Sequence, residues 1–435
     1  MSEFLRLLPP TEALQTLLRA LPDREPAAEM IDTTNALGRV TTADVRAPHP
    51  LPEFPRSTMD GYAVRARDTF GTSESLPGYL TLVGEVPMGD APSFALTPGA
   101  CALIHTGGML PEGADAVVML EYTQMVGRGD LHGRPRVGTS PAPTHEIEIS
   151  RAVAEGENVL RVGEDVAADQ VVLAAGVRLR PAEIGGCMAL GIIQLRVVTK
   201  PKIGILSSGD EVVPPRQSPR PGQVRDVNSY SLAALVEGAG GEPALYGIVP
   251  DDLEALKAAA ARALTECEAV VVTAGSSASA RDTTAEAIAA LGAPGVLVHG
   301  VNVRPGKPTI LAVCDDKAVI GLPGNPVSAL VIAGLFVVPV IEKLLGLKVL
   351  RPRPSVLAKL TVNVPSQAGR EDWVAVKLLV NGKWGMGNGE ARYLAEPVFG
   401  KSNLIFSLAA ADGLVRIPPD ATGLSAGERV EVVLL

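Results

Sequence analysis

The spacing of apolar residues changes its period along the chain, and the central part has the most regular pattern. From residue 201 to about 347, short apolar runs such as IGIL and AVVVT alternate with longer segments of helical spacing. Alternating strands and helices are typical of a doubly wound, mostly parallel sheet. The pattern therefore predicts an α/β domain over residues 185–347.

The flanking parts of the chain have a different pattern. Residues 11–21 have helical apolar spacing, whereas short strand-like runs separated by Gly and Pro fill residues 49–150 and recur after about residue 350. We therefore predict an α/β multidomain protein with three further domains. These are an elongated N-terminal domain split between 1–48 and 151–184, an inserted β-rich domain at 49–150, and a C-terminal β-barrel-like domain at 348–435.

Two helices of the central part carry additional signals. Asp251 stands before LEALKAAAARALTE, and Glu254 follows three residues later, which predicts a capping-box-like helix start at Asp251. Residues 327–350 form the most apolar run, but its uncharged part ends at Ile341 and contains Pro339. This run is too short to favour a membrane span, so a buried helix is expected.

Composition narrows the class of protein. A length of 435 residues allows about two to four domains, and a net charge of −9 argues against an extended nucleic-acid surface. The four cysteines are far apart and form no CxxC pair, so buried thiols in a reducing cytoplasm are expected. The first residues have no signal-peptide pattern. These features predict a cytoplasmic protein that binds neither nucleic acid nor membrane.

Three predicted strands end in turns rich in small residues: 207–211 (SSGDE), 273–282 (TAGSSASARD) and 322–328 (LPGNPVS). Ligands of open α/β sheets bind beyond the carboxyl ends of the strands, where helix starts favour anions. A fourth segment, 304–308 (RPGKP), adds two cations, Arg304 and Lys307. Together they indicate an anionic substrate, although each turn by itself is also compatible with an ordinary tight turn.

Several acidic residues also stand in turn-like surroundings: Asp60, Asp165, Glu183 and Asp210. Mg²⁺ prefers carboxylate and phosphate oxygens, so a metal bridging such residues to a phosphorylated ligand is reasonable. Each of them alone is equally compatible with a capping or turn-forming residue. The five histidines have no paired spacing, so neither a catalytic triad nor a zinc site is predicted.

At this level of detail the chain resembles a known family. The motifs FPRSTMDGYAVRARD, HTGGMLPEGADAVVMLE, LSSGDEVV, RPGKP and GLPGNPVSAL occur in this order. They resemble the molybdopterin molybdenumtransferase family, which includes bacterial MoeA and the gephyrin E-domain, over roughly residues 5–435. The resemblance implies four domains, a homodimer and the last step of molybdenum cofactor synthesis.

The resemblance also implies a reaction. Such an enzyme takes adenylylated molybdopterin and molybdate, inserts the metal into the dithiolene and releases AMP with the help of Mg²⁺. A transient contact with the molybdopterin adenylyltransferase would supply the substrate. Two alternatives stay open: a non-catalytic carrier or scaffold that binds the pterin or a nucleotide, and a different nucleotide-processing enzyme built on the same α/β domain.

Site residues follow by matching motifs. The predicted catalytic positions are Asp60, Thr106, Asp165, Glu183 and Asp210, of which Asp60, Glu183 and Asp210 are the predicted metal ligands. The turns and the resemblance together give the substrate- and anion-binding set: Ser208, Gly275, Ser276, Arg304, Lys307, Pro308, Gly324, Asn325, Ser328, Arg370 and Ser407. In particular, Ser328 and the amides after Pro326 are expected to face molybdate or a phosphate.

The chain departs from the family pattern at a few positions. It has AGSSASARD where SGGVSxGxxD is common, and Arg304 replaces a lysine of the usual KPGKP. An arginine keeps the cation but changes its hydrogen-bonding geometry. The altered serine-rich turn bears on the pose of the substrate more than on the class of reaction.

Overall fold

The computed structural model describes residues 7–126, 145–274, 278–350, 352–382 and 391–435, and of residues 274 and 278–282 it describes the backbone alone. The chain forms two compact units. The larger contains residues up to Ala43, then 175–184 and 194–435, and the smaller contains 44–174 and 185–193. The predicted mixed α/β fold with several sheets is confirmed, whereas the four predicted domain boundaries stay a prediction.

The larger unit begins with helix α1 (Pro10–Ala20) and strand β1 (Ala28–Asp32). Ala13 and Leu17 are fully buried one turn apart, so the predicted apolar stripe of α1 faces the core. Pro10 occupies the first turn, where its missing N–H costs little.

The smaller unit is built around one six-stranded sheet of order β7-β4-β6-β5-β9-β8. All its pairings are antiparallel except that of β5 with β6. Two short pairs, β3 with β10 and β2 with β11, lie outside this sheet. The strands are β2 (Val45–Arg46), β3 (Arg56–Ser57), β4 (Gly61–Val64), β5 (Gly78–Glu85), β6 (Ala100–Ile104), β7 (Ala116–Met119), β8 (Thr123–Val126), β9 (Glu146–Ile149), β10 (Val159–Leu160) and β11 (Val171–Leu173).

After helix α2 (Pro181–Ala189), strands and helices alternate as predicted. The elements up to residue 344 are β12 (Gln194–Val198), β13 (Lys202–Ser208), β14 (Val212–Val213), β15 (Val224–Arg225), α3 (Asn228–Ala239), β16 (Glu242–Val249), α4 (Leu253–Glu266), β17 (Ala269–Ala274), α5 (Ala278–Ala289), β18 (Pro294–His299), β19 (Val303–Arg304), β20 (Ile310–Cys314), β21 (Lys317–Pro323), α6 (Pro326–Ile332), a π-helical segment (Ala333–Val337) and α7 (Val338–Leu344). Strand β12 pairs with β1.

The central sheet has the order β16-β13-β17-β21-β20-β18. Its first three pairings are parallel and its last two are antiparallel. Ile203 and Ile205 of β13 contribute to one apolar cluster and Leu206 to a second, so both faces of the sheet are buried. Because β13, β16, β17 and β21 run in the same direction, their carboxyl ends meet at one edge.

The run from Pro326 to Leu344 is long and apolar enough to cross a membrane by length and composition alone, a test that core helices of soluble proteins also pass. In the structure Ile332, Phe336 and Val340 are buried in the same cluster as Ile203 and Ile205. The run therefore packs against the central sheet as a core helix.

The C-terminal strands close into a barrel. Strand β24 pairs with β25 on one side and β26 on the other, and β22 and β28 complete the ring. Strand β19 adds to β24 in parallel, with Arg304 opposite Asp372. The elements are β22 (Ser355–Leu360), β23 (Val364–Pro365), β24 (Glu371–Val380), β25 (Tyr393–Pro397), α8 (Ile405–Ala409), β26 (Gly413–Ile417), β27 (Gly423–Leu424) and β28 (Arg429–Leu434).

The predicted start of α4 is wrong by one residue. The N-cap is Asp252, whose Oδ1 accepts the Ala255 N–H at 2.8 Å, whereas Asp251 accepts a hydrogen bond from Ser208 instead. Two adjacent aspartates can each cap a helix, and the contact with β13 removes Asp251 from that role.

Replacement of Asp252 by Ala is expected to lower the free energy of unfolding by about 1 kcal/mol, because one amide of the first turn loses its acceptor. Urea unfolding followed by circular dichroism measures this difference. An unchanged free energy of unfolding would show that the cap contributes nothing to stability.

Candidate functional site

Two carboxylates stand beside each other at the carboxyl edge of the central sheet. Asp210 follows β13, and Asp251 follows the neighbouring strand β16. The Asp251 N–H donates to Asp210 Oδ1 at 3.2 Å, and the buried Ser208 hydroxyl donates to Asp251 Oδ1 at 2.6 Å. We call Asp210 and Asp251 the carboxylate pair; the sequence had singled out only Asp210 and Ser208 for the site.

The first turn of α3 contacts the turn after β21 and contains two polar atoms without a partner among the described residues. Asn228 Nδ2 donates to the Gly324 carbonyl at 2.8 Å. Asn228 Oδ1 and Ser229 Oγ are buried and have no hydrogen-bond partner among the described residues. Leaving such atoms unpaired costs about 1–3 kcal/mol each, so a ligand that satisfied them would recover stability.

The turn at 322–328 is packed and hydrogen-bonded within the protein to a greater extent than predicted. Gly324 and Asn325 are half-buried, and Ser328 is buried in α6. The Val327 N–H donates to the Ser402 carbonyl at 3.0 Å, so this amide does not face an anion as expected. The reason is tertiary: the segment before α8 supplies an acceptor that the local sequence does not reveal. The role of Ser328 stays a prediction.

The RPGKP segment is held against α6 by Gly306. Gly306 is buried with φ at +117°, and a Cβ there would overlap with the side chain of Ile332. Arg304 and Lys307 on either side of it are exposed, and Pro308 is half-buried. The packed glycine thus fixes a short loop that presents two cations to solvent.

Arg370 is connected to this loop by the carboxylate of Asp372, a residue that the sequence analysis did not identify. Its Nε and Nη2 donate to Asp372 Oδ1 and Oδ2 at 2.7 and 3.1 Å. Arg304 Nη1 is 3.8 Å from the same Oδ2. The structure therefore brings Arg370 and Arg304 together at one carboxylate. At the start of α8, the Ser407 hydroxyl donates to the Leu404 carbonyl at 2.6 Å.

In the smaller unit, Asp60 and Thr106 are in direct contact. The Thr106 N–H and hydroxyl donate to Asp60 Oδ1 at 2.7 and 3.1 Å, and these bonds, the backbone one first, lower the pKa of Asp60. His105 Nδ1 lies 3.8 Å from Asp60 Oδ1, and His105 Nε2 lies 3.1 Å from Glu85 Oε1. Asp165 is exposed in a turn, where its N–H donates to the Leu51 carbonyl.

Glu183 is engaged by Arg180 at the start of α2. Both carboxylate oxygens accept from Arg180 Nε, at 3.0 and 3.1 Å, and Oε2 also accepts the Arg180 N–H at 2.9 Å. The side-chain hydrogen bonds from Arg180 are the main reason that the pKa of Glu183 falls to about 2. A metal at Glu183 would have to displace this guanidinium.

Replacement of Glu183 by Gln is expected to lower the free energy of unfolding at neutral pH by about 1–2 kcal/mol, since a charge-assisted pair is lost. The folded-state pKa is below the ordinary value of 4.5, so the pair stabilises above about pH 4.5 and the difference narrows as the pH falls toward 2. Urea unfolding at several pH values tests this.

The matched control for Glu183 is Glu254→Gln, which breaks a more exposed pair with Lys257 at the same spacing. Its expected effect is below about 0.5 kcal/mol at every pH. A Glu183→Gln difference that did not depend on pH would contradict the assignment of the stabilisation to the ionised carboxylate.

The predicted metal ligands are divided between the two units. Within the ranges that the structure describes, no group of three or more His, Cys, Asp or Glu side chains is arranged to hold a metal ion. Asp60 belongs to the smaller unit, and Asp210 to the larger. Gly275 and Ser276, predicted for the anion site, lie outside the described residues.

Comparisons with known proteins agree with this architecture. A family model for the MoeA N-terminal region (domain I and II) matches residues 8–191. A model described as a probable molybdopterin binding domain matches 204–343, and one for the MoeA C-terminal region (domain IV) matches 357–435. The three models follow one another in this order and together span most of the chain.

Individual proteins are similar over nearly the full length. The molybdopterin molybdenumtransferase of Nostoc sp. is 33% identical over 95% of this chain and 90% of its own, and that of Bacillus subtilis is 31% identical over 94% and 90%. The crystal structure of a molybdopterin biosynthesis MoeA protein from Pyrococcus horikoshii OT3 superposes with a TM-score of 0.80 at 32% identity, covering 99% of this chain and all of that one. Identity of this level over almost the whole length places the chain in the MoeA family, to which these molybdopterin molybdenumtransferases belong.

Proposed function

We propose that this protein inserts molybdate into the dithiolene of adenylylated molybdopterin and releases AMP, the last step of molybdenum cofactor synthesis. The observation that carries the proposal is the edge of the central sheet. At this edge the carboxylate pair follows β13 and β16, and the turn to which Asn228 donates follows β21. Asn228 Oδ1 and Ser229 Oγ have no hydrogen-bond partner among the described residues. Open α/β sheets bind their ligands at this edge.

In this proposal the cations and the carboxylates of the larger unit have different roles. The substrate carries phosphates and meets an oxyanion, so the cations Arg304, Lys307 and Arg370 neutralise negative charge as the reacting groups approach. Cleavage of the pyrophosphate bond needs an oriented water or molybdate oxygen rather than a protein nucleophile. In this proposal a carboxylate of the pair orients that oxygen and accepts its proton.

The carboxylate pair fits Mg²⁺, which binds to proteins through one or two carboxylates and completes its shell with water and substrate phosphates. One oxygen of each carboxylate is fixed by a hydrogen bond, which sets the direction of the group. We therefore propose Asp210 and Asp251 as the ligands, in place of the predicted trio. A bound Mg²⁺ would supply Lewis-acid stabilisation of phosphate charge.

The biological setting follows the resemblance. We propose a cytoplasmic homodimer that takes its substrate from the molybdopterin adenylyltransferase. All four cysteines are buried and none forms a disulfide bond, and burial raises the pKa of Cys101 to about 12 and of Cys314 to about 11. Buried, protonated thiols of this kind suit a reducing compartment.

The direct test is incubation of the purified protein with adenylylated molybdopterin, molybdate and Mg²⁺. AMP release that depends on molybdate, together with reconstitution of an apo-molybdoenzyme, is the expected result. Absence of molybdate-dependent AMP release would refute the proposal. Tight binding of the pterin without AMP release would instead support a carrier or scaffold.

A further inference from the structure

Asp372 is a buried acid among the cations of the proposed anion site. It is 3% exposed, on β24, and Arg304 is its in-register partner on β19. One side chain therefore contacts two predicted anion-binding residues from distant parts of the chain: Arg370 by two hydrogen bonds and Arg304 at 3.8 Å. The Arg370 side chain is still 25% exposed.

The hydrogen bonds select one edge of the Arg370 guanidinium. Asp372 accepts from Nε and Nη2, the side edge of the group. A guanidinium is planar and has five N–H donors, so fixing this edge also fixes the direction of the edge formed by Nη1 and Nη2. That second edge has the geometry for two oxygens of one oxyanion.

We propose that Asp372 is a positioning residue that aims Arg370, and with it Arg304, at a tetrahedral oxyanion: molybdate or a phosphate of the substrate. The inference rests on the proposed function and deepens it. One carboxylate faces two guanidiniums, and Lys307 is nearby in the chain. These four side chains together therefore keep a net positive charge, while the carboxylate holds the donors of the guanidiniums in place.

Asp372 has two effects of opposite sign on an anion. Its negative charge weakens anion binding, whereas the order that it imposes on Arg370 removes an entropic cost of binding. Immobilising one long side chain changes an affinity by a factor of roughly 2 to 10. If positioning dominates, Asp372→Asn weakens binding; if neutralisation dominates, the same change strengthens it.

The test is calorimetric titration of the full-length protein with molybdate and, separately, with inorganic phosphate at constant ionic strength. Asp372→Asn is expected to weaken binding about three- to tenfold. Loss for molybdate alone assigns the position to the metal oxyanion, and loss for phosphate alone assigns it to a substrate phosphate. Unchanged or tighter binding of both would overturn the inference.

Glu371→Gln is the matched control. Glu371 is buried to the same degree on the same strand, but its carboxylate binds Arg416 at 2.7 and 2.9 Å and Trp373 Nε1 at 2.8 Å. Glu371→Gln should leave the affinities for molybdate and for phosphate unchanged. An equal loss in both variants would show that any buried ion pair of the barrel has this effect, which also overturns the inference.

Arg370→Lys keeps the inference testable if Asp372→Asn does not fold. A lysine retains the charge but cannot make the two-pronged contact with Asp372, so the same loss of affinity is expected. Where Asp372→Asn does fold, the double variant should show no further loss. Wild-type affinity of Arg370→Lys would overturn positioning by Asp372. AMP release is assayed separately: a protein that binds oxyanions in this pattern without releasing AMP refutes the proposed function alone.

Discussion

Asp210→Asn is expected to lower the rate of molybdate-dependent AMP release by about 100-fold or more, the usual loss when a group that stabilises transition-state charge is removed. The variant keeps an oxygen to accept the Asp251 N–H, which is now bound at 3.2 Å. Asp210 is exposed, so the free energy of unfolding should stay within about 0.5 kcal/mol of the wild type. Initial rates at saturating substrate and urea unfolding measure the two quantities.

The adjacent aspartates after β16 provide the controls. Asp251→Asn should reduce the rate as Asp210→Asn does, because the two carboxylates act together. Asp252→Ala removes only the cap of α4, so it should reduce stability and leave the rate per folded molecule unchanged. If Asp210→Asn unfolds the protein while the folded fraction keeps full activity, Asp210 is a turn residue and the metal assignment is wrong.

The sequence predicts the central sheet well because the signal is local. The inner strands β13, β17, β20 and β21 are apolar runs bounded by turn residues, and their burial on both faces follows from that composition. The start of α4 shows where local reasoning ends. Asp251 and Asp252 have equal capping capacity, and the hydroxyl of Ser208, on another strand, decides between them.

The candidate site is predictable to the same extent. Turn chemistry and the family resemblance identify Asp210, Arg304 and Arg370, because each of these residues is recognisable from its own segment of the sequence. Their partners depend on which strands become neighbours. Asp372 faces Arg304 only because β19 pairs with β24. The Val327 N–H donates to the Ser402 carbonyl only because the segment before α8 lies against the start of α6. Neither pairing has a signature within one segment.

Gly306→Ala is expected to lower the free energy of unfolding by about 3 kcal/mol or more. Two costs add: a non-glycine residue at φ +117° is strained by roughly 1–3 kcal/mol, and the new methyl group would overlap with Ile332 in the core. Urea unfolding with comparison of midpoint and slope measures the loss. The wild-type slope is needed to show that the variant still unfolds in one cooperative step.

Gly222→Ala separates these two costs. Gly222 also has a positive φ, +89°, but a Cβ there would have no heavy atom within 4 Å. It should therefore show the backbone strain alone, about 1 kcal/mol. Equal losses in the two variants would contradict the packing of RPGKP against α6. Because that loop carries Arg304 and Lys307, folded Gly306→Ala should also bind molybdate more weakly than Gly222→Ala, which links the packing of one glycine to the placement of both cations.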